Sequence, residues 1–214
     1  MNEYSKYIDR KNALRYMGCR GEVSSDFIDK VAECEAELEE AMTPRYIYKV
    51  APVSKLDAVL SGKDVYRHLE GCSSAAILAV TLGGAVDTLV RKYQSCDVAR
   101  ALIVDAEASA AVEIVAGEAE REIARATGKN LTWRYSPGYG DYPLECQSAL
   151  LSFLDAERKI GLFALESFLL TPAKSVTAVI GLTEDEIAHE RSSCESCNMK
   201  DVCAFKKEGN HCGF

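Results

Sequence analysis

From Ala85 to Ala126 the chain runs without a proline, and its apolar residues recur three or four positions apart: Leu89, Tyr93, Cys96, Ala99, Ile103, Ala106, Ala110 and Ile114. That spacing is the periodicity of helix with one buried face. Such a length predicts a kink or break near Ser95-Cys96-Asp97. The alanine-rich part from Ala106 to Ala119 suits close approach of another element.

The segments around it mix helix and strand signals. A short helix is expected from Ile8 to Met17, ending near Gly18. A second starts at Ser24 or Ser25, both good N-caps, with Asp26 in its first turn and Phe27, Val31, Cys34 and Leu38 on one face. Thr43-Pro44 stops it. Arg45 to Val53 reads as a strand, Lys63 to Leu69 as a short helix ended by Gly71, and Ser74 to Leu82 as a buried strand closed by Gly83-Gly84. After Gly128, a strand over Leu131–Tyr135 is expected, then a turn over Ser136–Gly140, a helix from Pro143 to Lys159, and strands over Phe163–Leu170 and Ser175–Gly181. The pattern reads as α+β, with no regular βαβ alternation.

Composition narrows the function classes. The chain has 214 residues, 48% hydrophobic and 27% charged, enough for a globular core. Its formal net charge is −8. An acidic chain without a basic stripe is a poor ligand for nucleic acid. No apolar run is long enough for a membrane span, and the polar start lacks a signal-peptide core, so a cytoplasmic protein is expected. Nine cysteines are many for such a protein, and their clustering points to metal or redox chemistry rather than to disulfides. We expect one compact domain over 1–191 and a Cys-rich tail over 192–214.

The most informative segment is Trp133-Arg134-Tyr135-Ser136-Pro137-Gly138-Tyr139-Gly140-Asp141. Pro137 fixes φ and Gly138 permits φ > 0, the pairing a type II turn demands. Backbone groups on such a turn can read the edge of a flat heterocycle. Arg134 offers a planar fork for a carboxylate, and Tyr139 an aromatic face and a hydroxyl. An ordinary turn with a surface arginine would carry the same residues.

Arg134-x-x-Pro137-Gly138-Tyr139, a helix, and then Leu170-Thr171-Pro172-x-x-Ser175-Val176 resemble the reactivation (S-adenosylmethionine-binding) domain of cobalamin-dependent methionine synthase, in its free-standing short form. The resemblance is densest from Arg134 to Gly181. It extends weakly to Pro44-Arg45-Tyr46, His68-Leu69-Glu70-Gly71-Cys72 and Thr81-Leu82-Gly83. It implies a twisted, mainly antiparallel sheet flanked by helices. It also implies that Arg134 pairs with the methionyl carboxylate and that Pro137, Gly138 and Tyr139 bind the adenosyl part, with Ser175 in the second element of the site. Acidic side chains would take the amino group and ribose. Asp105, Glu107, Glu113 and Glu118 are the candidates, each also readable as part of a solvated helix face.

The resemblance implies reductive methylation as the reaction served. One electron from a reductant and the methyl group of S-adenosylmethionine restore methylcobalamin from the inactive cob(II) state. The partners implied are a corrinoid protein or cobalamin-dependent methyltransferase, which holds the cobalamin, and an electron donor. His68-Leu69-Glu70-Gly71 lacks the aspartate of a cobalt-ligand loop, since Tyr66 stands at that position, and reads as a helix end.

Cys194, Cys197, Cys203 and Cys212 supply four thiolates in a short tail, the ligand count of a tetrahedral zinc site or an iron–sulfur cluster, with His211 a substitute for one of them. A second reading therefore makes the chain a metal-binding or electron-transfer accessory working through this cluster. The other cysteines read as small buried residues. Thr81-Leu82-Gly83-Gly84 lacks a P-loop lysine and reads as strand-to-helix packing, and Glu33, Glu35, Glu37, Glu39 and Glu40 as a solvated face.

Overall fold

The computed structural model describes residues 3–19 and 23–184. Its elements are α1 Arg10–Tyr16, α2 Ser25–Ala41, β1 Arg45–Pro52, α3 Lys63–His68, β2 Ser74–Thr81, α4 Gly84–Cys96, α5 Val98–Thr127, β3 Asn130–Leu131, α6 Cys146–Leu154, α7 Ala156–Ile160, β4 Phe163–Ala164, β5 Leu170–Thr171 and β6 Ser175–Thr183. One antiparallel sheet has the order β1-β2-β6-β3, and β4 pairs with β5 in a small hairpin. The architecture is α+β, as the sequence implied.

Side-chain alternation on the strands builds two cores. Ala76, Leu78 and Val80 of β2 pack with Leu38 of α2, Val86 of α4 and Val112 of α5. Ala75, Ile77 and Ala79 pack on the opposite face with Val65 of α3, Leu150 of α6 and Ile160 of α7. Helices therefore cover both faces of β2, which is why its sequence is a continuous apolar run and not an alternation.

Local chemistry sets the element ends. Ser24 caps α2 by accepting a hydrogen bond from the Phe27 amide at 3.4 Å. The long helical stretch does break at Asp97, whose carboxylate accepts from the Arg100 amide at 3.1 Å and starts α5. Gly128, left-handed at φ +65°, ends α5. Gly83 joins β2 to α4 at φ +90°, and a Cβ there would collide with the Thr43 hydroxyl, so the glycine pair serves close packing.

Several expectations need correction. The helix expected over Pro143–Lys159 begins at Cys146 and is divided at Asp155, which adopts φ +59°. Phe163–Leu170 is not one strand: the chain turns back, with the Leu165 amide donating to the Leu169 carbonyl at 2.9 Å, and leaves the short β4–β5 hairpin. Leu131–Tyr135 pairs as a strand only at Asn130–Leu131 and at a single bridge, Tyr135 to Val179. Glu35 is buried and not part of a solvated face, and Cys96 is exposed. The domain boundary near Ser192 and the cysteines at 194, 197, 203 and 212 lie outside the described residues. Among the described residues no helix is long and apolar enough to cross a membrane.

Candidate ligand site beside Arg134

Residues 132–142 leave the sheet edge at β6 and are tied down on both sides. The Gly181 amide donates to the Thr132 hydroxyl at 2.7 Å, and that hydroxyl lies 2.8 Å from Nε2 of His68. The same hydroxyl donates to the Trp133 carbonyl at 3.3 Å. Burial lowers the His68 pKa to about 4, so the ring is neutral at physiological pH. His68 is the last residue of α3, as its sequence context suggested, and its ring packs against those of Trp133 and Tyr135, which also touch each other.

The turn has the expected geometry. Gly138 adopts φ +95°, and the Tyr139 amide donates to the Ser136 carbonyl at 3.1 Å, consistent with a type II turn over Pro137-Gly138. The Gly138 amide donates to the Tyr142 carbonyl at 2.8 Å. Two N–H groups expected to face a ligand are thus used within the loop. Asp141 fixes the loop to α3. Its carboxylate accepts from the Lys63 and Asp64 amides at 2.7 and 2.9 Å, and its own amide donates to Asp64 at 3.2 Å. Gly62, which precedes α3, has no side chain to cap it, so Asp141 supplies the cap from across the chain.

Arg134 and Tyr135 point to opposite sides of this segment, as neighbours in extended chain do. Tyr135 enters the core of α3 and α6, with the exposed Tyr139 ring edge-on to it at 6.0 Å. Arg134 faces α5 instead. Its Nη2 donates to Glu113 at 2.6 Å and its Nη1 to Glu120 at 3.3 Å. The guanidinium expected to await a carboxylate is therefore held in an ion pair, with side-chain exposures of 19% for Arg134, 30% for Glu113 and 28% for Glu120.

Of the four acidic candidates, only Glu113 meets Arg134. Asp105 pairs with Lys174 at 2.8 Å, Glu118 with Lys6 and Tyr7, and Glu107 is fully buried on another face of α5. Glu120 was missed, although it lies seven residues after Glu113, two turns along the same face. Lys174 was missed too; it also reaches Ser109 at 2.9 Å. Ser175 is not brought to Arg134. Its hydroxyl lies 2.6 Å from the Pro172 carbonyl and 2.8 Å from Thr81, at the far end of β6, about 13 Å along the strand from the Tyr135 bridge.

No family model matches the chain, and no curated protein matches it. Among solved structures, a crystal structure of the MetH reactivation domain bound to AdoHcy is similar. Its TM-score is 0.64 at 16% sequence identity, with coverage of 84% of this chain and 75% of that one. The chain has the fold of that reactivation domain. At this identity the likeness is one of fold, and function must be argued from the site.

The cluster's chemistry fits a zwitterionic head group, one that carries a carboxylate and an ammonium. One guanidinium between two carboxylates can exchange both kinds of partner with a zwitterion: the ligand carboxylate takes Arg134 and the ammonium takes a released glutamate. There is also room. Gly117 lies between Glu113 and Glu120 on the same face of α5, and a Cβ there would meet only the end of Arg121, at 3.7 Å. A glycine inside a helix costs about 1 kcal/mol against alanine, and no packing neighbour requires this one. Among the described residues no group of three or more His, Cys, Asp or Glu is placed to hold a metal ion.

Proposed function

We propose that this chain binds S-adenosylmethionine at the Arg134 cluster and serves a corrinoid-dependent methyltransferase, of the methionine synthase kind, as its reactivation protein. The observation that supports it most is the Arg134–Glu113–Glu120 cluster beside a glycine gap, on a fold shared with a reactivation domain bound to AdoHcy. Under this reading Arg134 holds the ligand carboxylate and Glu113 its amino group. The backbone of Pro137, Gly138 and Tyr139 meets the adenosyl part, through carbonyl groups, since the amides of Gly138 and Tyr139 are engaged. Ser175 contributes by pinning the bend that carries Lys174.

S-adenosylmethionine, when bound, supplies an activated methyl group, and reduced cobalt on the partner is the acceptor. No general base is required, so this chain's residues act by positioning and by excluding water. The corrinoid partner and an electron donor belong to the proposal and rest on the sequence resemblance. The four tail cysteines enter it through their spacing alone, as ligands for zinc or an iron–sulfur cluster; metal analysis of the intact protein should give a stoichiometric metal, and a metal-free folded protein would remove that part.

Calorimetric titration tests the central reading. Wild-type protein should bind S-adenosylmethionine, and Arg134→Ala should weaken binding at least tenfold, about the value of a charged hydrogen bond. A folded wild type that takes up no S-adenosylmethionine, or an Arg134→Ala variant that binds as well as wild type, would refute it.

A further inference from the structure

Building on the S-adenosylmethionine reading, we infer that Asp141 is a positioning residue for the Pro137-Gly138-Tyr139 turn: together with Asp64 it locks the turn's exposed tip onto α3 in the free protein, so that the adenosyl part meets a surface already in place. The two aspartates, 77 residues apart, cap each other's main chain. One Asp141 oxygen accepts from the Lys63 amide and the other from the Asp64 amide, while an Asp64 oxygen accepts from the Asp141 amide. Arg67 donates to the remaining Asp64 oxygen at 3.0 Å and sets a cation beside the two charges. All four carboxylate oxygens thus have a donor. The Asp64 and Lys63 amides hold the Asp141 carboxyl below its ordinary value, so it stays ionised at neutral pH. Glycine stands at both points of approach. A Cβ on Gly62 would collide with the Asp141 carbonyl and carboxylate, and one on Gly140 with the Asp64 carboxylate and the Tyr135 hydroxyl.

This clasp lies where burial cannot hold the chain. Tyr135 and Tyr142 are buried, but residues 138–141 between them are exposed. The bonds within the turn, from the Tyr139 amide to Ser136 and from the Gly138 amide to Tyr142, fix its shape and not its placement against α3. Helix α3 reaches both ends of the segment. Its last residue, His68, meets the Thr132 hydroxyl at 2.8 Å, ahead of Arg134, and its first two amides take Asp141, just after the turn. Removing the Asp141 carboxylate therefore loosens the tip and leaves the Arg134 end attached. A tip in place for only a fraction of the time lowers the apparent affinity by that fraction. The loss falls on association, because the seated ligand keeps the same contacts. Truncating a residue that touches the ligand acts on dissociation instead.

Surface plasmon resonance of the immobilised full chain with S-adenosylmethionine, which reads both rates, provides the test. Asp141→Ala should slow association about tenfold, the order expected for lost charged hydrogen bonds, and leave the dissociation rate as in wild type. Asp64→Ala removes one of the three main-chain bonds and should slow association by less, again without changing dissociation. Ser24→Ala removes a cap of the same kind from α2, and should change neither rate. Folded Asp141→Ala and Asp64→Ala proteins that associate at the wild-type rate, a loss that lies in dissociation, or an equal slowing in Ser24→Ala, overturns the role of Asp141 and leaves the binding site standing. A wild type that binds no S-adenosylmethionine overturns both.

Discussion

Helix α5 carries two clusters of the same composition, one arginine and two glutamates, on different faces. On one, Arg134 holds Glu113 and Glu120. On the other, Arg10 of α1 holds Glu35 of α2 through two hydrogen bonds, and Glu35 faces Glu107 of α5. The first is partly open, beside a glycine gap. In the second it is the carboxyls that are closed off: the Arg10 side chain is 40% exposed, but Glu35 is only 9% exposed and Glu107 is fully buried. The same residue types do different work because the carboxyls' access to water differs. An open cluster can exchange its partners for a ligand's. In a closed one, a carboxyl without a partner must keep its proton, and the arginine serves to dock one helix onto two others.

Removing each arginine should separate the clusters most sharply. Arg10→Ala leaves the Glu35 carboxylate facing the Glu107 carboxyl with no cation, and we expect a loss of about 2–3 kcal/mol in urea denaturation, as for charged hydrogen bonds removed from a buried acceptor. Arg134→Ala should cost only about 1 kcal/mol, because its partners reach water. Equal losses would mean that the two clusters are not different in kind.

The pH dependence of stability is the next contrast. Burial, followed by the charge of Glu35, raises the Glu107 carboxyl from 4.5 to about 8, while Arg10 pulls it down and Asp9 adds to the rise. The folded chain therefore keeps a proton that the unfolded chain loses. This group's stabilisation is fully present below pH 4.5 and is lost as pH climbs through about 8. Glu107→Gln should flatten that decline and add on the order of a few kcal/mol on the alkaline side. A variant as pH-sensitive as wild type in denaturation curves would show that Glu107 is ionised in the fold.

Gly117→Ala gives the smallest effect and bears on the open cluster alone. It should raise stability by about 1 kcal/mol through helix propensity, and also weaken S-adenosylmethionine binding, since the added methyl enters the gap. Trp133 is the only tryptophan, and its ring is 5.0 Å from that of Tyr135. Its fluorescence gives a convenient readout of that binding. Unimpaired binding would show that the gap is not used.

Much of this was legible in the sequence. Helical spacing found α2, α4 and α5, and the length of the stretch pointed to the break near Asp97 between the last two. Pro137-Gly138 announced its turn because proline fixes φ and glycine readily takes the positive φ that the next position needs. What remained hidden depended on contacts far along the chain. Glu35 lies in a run of glutamates that looks uniformly solvated, and only Arg10, brought in by α1, distinguishes it. Glu120 and Lys174 could be placed only once the orientation of α5 against the sheet was known. The division of 143–159 arises at Asp155, an ordinary residue in left-handed conformation, for which composition gives no sign.

A crystal structure of the full chain grown with S-adenosylmethionine tests the central claim most directly. We expect the ligand carboxylate on the Arg134 guanidinium, with Glu113 moved off Nη2 and onto the ligand's amino group. Arg134 still clasped by both glutamates, with the ligand absent or bound elsewhere, would contradict it.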